Sequence, residues 1–273
     1  RQKRRALSLA EPFLQDLGVA DAQGRLVPAM ARKWKQINKF VEVLGHALDR
    51  GAWAPAAGEP ARVLDFGAGK GYLTFALHHH LVRDRGWAAE VVGVELRPDL
   101  VQTCNDAAQR RRLDGLRFEC GDVNDHVPDR LDIMIALHAC DTATDVALAT
   151  GIRAGAQLIV SSPCCHKQLR PQMQLPPVLK GMLQHGIHLG QQAEMVTDSL
   201  RALWLEARGY DAQVFEFVAL EHTSKNKMIL ALRRPADAPG EARRRAEAER
   251  QIAEIKAFYG VREHRLEDLL QPA

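Results

Sequence analysis

The chain has 273 residues, 46% hydrophobic and 26% charged, the balance of a globular protein able to bury a substantial core. No apolar run approaches the length of a bilayer span, the first residues lack the apolar stretch of a signal peptide, and five cysteines, two of them adjacent, make a poor disulfide framework. These features argue against a membrane protein and a disulfide-stapled scaffold and predict a cytoplasmic protein with thiols, while a net charge of +3 only hints at an anionic partner.

In chain order, Trp34, Ile37, Phe40, Val41, Leu44 and Leu48 recur at helical spacing and predict a long amphipathic helix over 28–50, ended by a Gly- and Pro-bearing loop at 52–60. Strands and helices then alternate. Strands are expected at 62–66, 90–95, 117–120, 131–137 and 157–161, and helices at 72–83, 98–113 and 144–153, with Pro98 suited to a first helical turn. After Pro163 the pattern loosens through Pro171, Pro176 and Pro177 until a helix at 194–208. Strands at 214–220 and 227–232, joined by 221–226, form an antiparallel finish, and a charged helix at 241–256 follows with a seam of Ile252, Ile255 and Phe258. The alternation predicts an α/β fold with a doubly wound, mostly parallel seven-strand sheet and an antiparallel closing strand. The expected division is a helical lead-in at 1–58, a main domain at 59–235 and a helical tail at 236–273, with no internal repeat.

The most specific local signal is Arg62-Val-Leu-Asp-Phe-Gly-Ala-Gly-Lys-Gly-Tyr72. Asp65 stands at the carboxyl end of a strand, where open α/β sheets place their ligands. Gly67, Gly69 and Gly71 follow at two-residue intervals. A dinucleotide fingerprint spaces its glycines as G-x-G-x-x-G, and a phosphate loop needs a four-residue gap with a trailing Ser or Thr, so Lys70 does not make one. The form D-x-G-x-G-x-G resembles the first motif of class I methyltransferases, which implies a Rossmann-like fold and S-adenosylmethionine (SAM) as cofactor. Asp65 and the three glycines would then hold the methionine portion, and Glu95, ending the second strand 24 residues after Gly71, the ribose hydroxyls. Asp122 and Val123, after the third strand, would meet the adenine. The plainer reading makes Glu95 and Asp122 helix caps or solvated loop acids.

Further motifs sharpen the resemblance. Leu137-His-Ala-Cys-Asp-Thr-Ala-Thr-Asp145 follows the fourth strand, Ser161-Ser-Pro-Cys-Cys-His-Lys167 the fifth, with Lys35-Gln-Ile-Asn-Lys39 before the first motif and Glu221-His-Thr-Ser-Lys-Asn226 near the end. Over about residues 32–232 the chain resembles a methyltransferase-like family related to the eukaryotic tRNA 2′-O-ribose methyltransferase. The resemblance implies methyl transfer with RNA, tRNA or rRNA, as a possible substrate. It places His138, Asp141, Cys164, Cys165 and His166 beside the transferred methyl. Relatives often have glycine where this chain has Asp141.

Those residue types allow several chemistries. His138 or His166 could take a proton near neutral pH, oriented by Asp141. Cys140 and Cys164 could instead serve methylation of carbon 5 of a pyrimidine, in which a thiolate adds to the ring. A zinc site has enough ligand types, but no C-x-x-C knuckle supports it and extended Cys164 and Cys165 would point apart, so no metal is assigned. A SAM- or RNA-binding module without turnover, and a protein or small-molecule acceptor, remain as alternatives. Arginine runs at Arg110–Arg112 and Arg243–Arg245, and Arg1, Lys3, Arg4 and Arg5, are read as solvated helix faces or RNA contacts. Cys104 and Cys120 are expected in or near the core, and His78, His79 and His80 on a partly exposed surface. No oligomeric state is implied.

Overall fold

The structure, a computed structural model, describes residues 7–126, 128–137, 139, 141–217 and 227–271. Helix α1 (Pro12–Asp16) and a 3-10 turn (Pro28–Met30) lead into α2 (Ala31–Gly51). The alternating region then runs β1 (Ala61–Phe66), α3 (Tyr72–His79), β2 (Ala89–Glu95), α4 (Pro98–Arg110), β3 (Leu116–Cys120), β4 (Ile133–Ala136), α5 (Thr142–Arg153) and β5 (Leu158–Ser161). Helices α6 (Lys180–Leu183) and α7 (Gly186–Ala207), strands β6 (Tyr210–Glu216) and β7 (Lys227–Arg233), and helices α8 (Glu241–Tyr259) and α9 (Arg265–Leu270) complete it.

The seven strands form one sheet in the order β3-β2-β1-β4-β5-β7-β6, with β7 antiparallel to both neighbours and the other pairs parallel. The winding reverses between β1 and β4, so the crevice beyond their carboxyl ends is the position where such sheets bind ligands.

Successive strand residues point to opposite faces, and here both faces are apolar. Val63, Ile133, Ile135, Leu158 and Val160 pack with Trp34, Ile37, Phe40 and Leu44 of α2 and with Phe75 of α3. Leu64, Phe66, Met134 and Ile159 pack on the other side with Leu148 of α5, Leu200 and Leu205 of α7, Ile252 of α8 and Leu266 of α9. Both flanking helical segments therefore cover the sheet, one on each face.

The differences from the sequence-based expectation have local causes. Helix α7 starts eight residues earlier than expected, because Gly186 and Gly190 in its first turns dilute the helical signal. Strand β6 covers 210–216 instead of 214–220, of which 218–220 lie outside the described residues; as an edge strand it is defined by pairing with β7 rather than by an apolar run. The histidine triplet is not a surface feature. His78 and His80 are buried, with His78 Nε2 2.9 Å from the Asp114 carbonyl and His80 Nδ1 2.8 Å from Asp84. Of the two cysteines expected to pack, Cys104 is buried and Cys120 is exposed. Among the described residues no helix is long and apolar enough to cross a membrane.

Candidate active site

Beyond β1 the chain turns through Gly67-Ala68-Gly69-Lys70-Gly71 into α3. The Gly67 and Ala68 amides donate to the Val94 carbonyl at 2.9 and 3.1 Å, which clamps the turn to β2. Gly69 and Gly71 serve different ends. At Gly69 (φ 58°) a Cβ would meet only the Gly67 carbonyl, 4.0 Å away, so the missing side chain leaves room. At Gly71 (φ 70°) a Cβ would lie 3.0 Å from both the Phe118 and Phe75 rings, so its absence lets α3 dock. Asp65 is buried beneath the turn and accepts a 2.6 Å bond from the Thr74 hydroxyl. Burial pushes its carboxyl up to about 7, with the Thr74 bond pulling the other way.

The turn forms one wall of a cavity of about 530 Å³. Asp65, Gly67, Gly69, Glu95, Asp122 and Val123 all line it, whereas Gly71 sits behind the wall. Glu95 bridges the rim: one carboxylate oxygen accepts from the Gly69 amide at 2.9 Å, and the other from the Arg97 amide and Nε at 3.2 and 3.1 Å. Asp122 is both a lining residue and a cap, accepting from the Asn124 amide at 2.9 Å to start the 3-10 turn Val123–Asp125. The plainer reading of that residue is thus partly correct.

Sequence reasoning missed several lining residues. Lys33, from α2, lies 5.4 Å over the Tyr72 ring, and burial lowers its ammonium below the usual lysine range. Arg97 stood only two residues past Glu95, a usable signal, and Leu96, 66% exposed although large and apolar, lines the cavity too. Nothing in the sequence marked Lys33 apart from its place beside Trp34.

Leu137, Ala139 and Ala143 close the cavity on the β4 side. His138 and Cys140 lie outside the described residues, as do residues 218–226, which contain the Glu221–Asn226 motif, and the basic residues Arg1 to Arg5. Asp141, between Ala139 and Ala143, adopts φ 52° and ψ −122°, a conformation suited to glycine. One of its carboxylate oxygens accepts from the Lys167 amide at 3.1 Å, tying the loop after β4 to the loop after β5, and its carbonyl accepts from Arg201 at 3.0 Å. Arg201 is buried and clasps Asp145 with two bonds of 2.8 and 2.9 Å.

His166 turns toward α7. Its Nδ1 lies 4.0 Å from Asp198, and one atom each of His166, Glu194 and Asp198 fall within 4.8 Å of one another. Burial, reinforced by Arg201, pushes the imidazole down to about 4, so it is neutral at physiological pH. Burial pushes the Asp198 carboxyl up to about 7, against the opposing pull of Arg201. Cys164 and Cys165, which would point apart if extended, instead bring their sulfurs to 3.6 Å from each other in the loop after β5. Neither cysteine, nor Asp141, nor His166 lines the cavity itself. Glu194, Asp198 and Arg201 went unread in the sequence, although they share one helical face with the buried Leu205.

No curated protein matches this chain. Among solved structures, YcgJ from Bacillus subtilis is similar at 16% identity and TM-score 0.39, with 70% of this chain and all of that one covered. The magnesium protoporphyrin IX methyltransferase ChlM from Synechocystis, with bound SAH, is similar at 16% and 0.40, covering 73% and 86%. The bifunctional kinase-methyltransferase WbdD is similar at 14% and 0.43, covering 83% of this chain, which spans only 43% of WbdD. Likenesses of this order carry no argument about activity. A family model described as a methyltransferase domain, however, matches residues 32–172, more than half of the chain, and includes the glycine turn, Glu95, Asp122 and the loops after β4 and β5. By that match the chain belongs to the methyltransferase-domain family, a SAM-dependent methyltransferase built on the sheet and cavity described above.

Proposed function

We propose that this protein transfers the methyl group of SAM to an RNA acceptor in the cytoplasm, like the tRNA 2′-O-ribose methyltransferases its paired His/Cys motifs resemble. The observation that carries the reading is a cavity whose lining combines three carboxylates, Asp65, Glu95 and Asp122, with three cationic residues, Lys33, Lys70 and Arg97. Such a lining suits a cofactor with a ribose and an acceptor with phosphates.

The residues present fit the cofactor. Gly69 leaves free the space a Cβ would fill, and the buried Asp65 carboxylate offers a counter-charge to the ammonium of the methionine portion. Glu95 would take the ribose hydroxyls. A carboxylate offers about four lone-pair sites, and three are already used, so the exposed Arg97 must swing aside for both hydroxyls to be held. Gly67 and Gly71 would shape the turn, and Asp122 and Val123 would border the adenine, with Leu96 as an apolar surface beside it. When bound, SAM supplies a methyl group on a positively charged sulfur. His138, Asp141, Cys164, Cys165 and His166 would form the acceptor side, where Asp141 joins the two loops and the neutral His166 offers a lone pair. Residues 59–235 would carry the chemistry, supported by 1–58 and 236–273.

Calorimetric titration with SAM and with NAD tests the cofactor reading. SAM should bind, and Glu95→Ala should weaken it by about 10-fold or more, the loss of about 1.5–3 kcal/mol for hydrogen bonds to a charged group. Binding of NAD alone would overturn the assignment. Transfer of labelled methyl from SAM into total tRNA or rRNA tests the acceptor. Absence of transfer, together with no RNA affinity at low salt, would replace RNA with a protein or small molecule.

A further inference from the structure

Among the described residues, the acceptor side holds buried polar atoms without a hydrogen-bond partner. Both carboxylate oxygens of Asp198 and Nδ1 of His166 are buried without a hydrogen-bond partner, and Asp198 is only 2% exposed. A buried carboxylate left in that state is costly; Arg201 holds Asp145 and the Asp141 carbonyl through Nε and Nη2, while its Nη1, itself buried without a hydrogen-bond partner, stands 3.6 Å from Asp198, an ion pair beyond hydrogen-bond reach. Glu194 completes the cluster from one turn earlier on α7, with the Lys227 ammonium 3.1 Å from it and near enough to act on His166 and Asp198 as well.

We propose that His166, Glu194 and Asp198 bind a divalent transition-metal ion such as Zn²⁺ or Mn²⁺. Three considerations lead there. First, ligand atoms about 2.1 Å from an ion lie roughly 3–4 Å from one another, and the present spread, within 4.8 Å, needs only a small contraction. Second, the charges are unbalanced. Asp141, Asp145, Glu194 and Asp198 bring four carboxylates together with the cations Arg201 and Lys227, leaving an excess of two negative charges when all are ionised. Third, one imidazole with two carboxylates suits a first-row transition ion better than Mg²⁺ or Ca²⁺, which favour all-oxygen shells. His166 is already neutral, as a ligand must be.

Three protein ligands leave coordination positions open. Glu194, the most accessible of the three, marks the side from which an ion enters. If the acceptor-side reading above holds, an acceptor oxygen would complete the shell, and His166 would be a ligand rather than a base. The cysteines, Cys164 and Cys165, take no part in this cluster.

The test uses the full chain, stripped with a chelator and titrated with Zn²⁺, Mn²⁺ and Mg²⁺. One Zn²⁺ or Mn²⁺ ion per chain should bind at micromolar or tighter affinity, with Mg²⁺ at least 10-fold weaker. Asp198→Asn and Glu194→Gln should each weaken binding at least 10-fold while leaving SAM affinity unchanged, which also reports that the variants are folded. Should Asp198→Asn fail to fold, the partly exposed Glu194→Gln decides alone. X-ray absorption of the zinc form should show nitrogen and oxygen neighbours without sulfur. The proposal is overturned by the lack of saturable binding, by binding that Glu194→Gln leaves intact, or by sulfur ligation from Cys164 or Cys165. Loss of SAM binding in the wild-type chain would sink the methyl-transfer reading and leave the metal result standing.

Discussion

Asp141 holds a backbone shape that costs an L-residue about 1–3 kcal/mol, and its side chain offsets part of that by holding the Lys167 amide. The two effects separate by substitution. Asp141→Ala keeps the strain and loses the bond, whereas Asp141→Gly loses the bond and relieves the strain. The glycine variant should therefore be more stable than the alanine variant by about 1–2 kcal/mol in denaturant unfolding. Equal stabilities would mean that the strained backbone relaxes. The sequence flagged this position, because the family it resembles often has glycine there, but could not show that the aspartate keeps the glycine-like shape and joins two loops. The place of Glu95 at the cavity was legible for a plainer reason: it ends the strand next to the glycine turn, at the carboxyl edge of the sheet. The cluster of Glu194, Asp198 and Arg201 was not legible, since charges on a helix are normally solvated, and only the packing of α7 into the fold buries Asp198 and Arg201.

The turn between β1 and α3 makes a sharper statement than any one residue in it. Gly71→Ala adds a Cβ against two aromatic rings at a positive φ, and should lower stability by about 1–3 kcal/mol, visible as a fall in Tm. Gly69→Ala adds a Cβ that meets little protein, so it should cost less stability and more SAM affinity, measured by calorimetry on both variants. A reversed ranking would show that Gly69 faces packed protein and not the cofactor. The parallel strands and the helices between them were readable because apolar runs and helical periodicity alternate cleanly there. The short helices α1 and α9 offer too few turns for any periodicity to register, and α6 lies in the proline-broken stretch. Edge strand β6 alternates too weakly, because much of its surface faces solvent.

The molecule as a whole carries opposed proton linkages. Asp65 and Asp198 have carboxyls pushed up to about 7 from 3.8, so between about pH 4 and 7 the folded state binds more protons than the unfolded chain. Their contribution lowers stability as pH rises through that window. His166 and His264, pushed down by burial to about 4 from 6.5, are neutral in the fold where the unfolded chain is protonated, so their contribution makes stability rise with pH between about 4 and 6.5. Removing one acid should unmask the balance. Relative to wild type without cofactor, the Tm of Asp65→Asn should improve steadily from pH 4 to 7 and hold constant above. A difference independent of pH would mean that Asp65 is ionised throughout. Lys33 and Trp34 add a last consequence, for they are neighbours on α2 with one in the cofactor cavity and the other in the core beneath the sheet. A ligand gripped by Lys33 also resists the peeling of that helix from the sheet. With the cofactor held by Lys33, its escape and local unfastening of α2 would become one coupled event, and the occupied cavity would act as the clasp that keeps this layer of the protein closed.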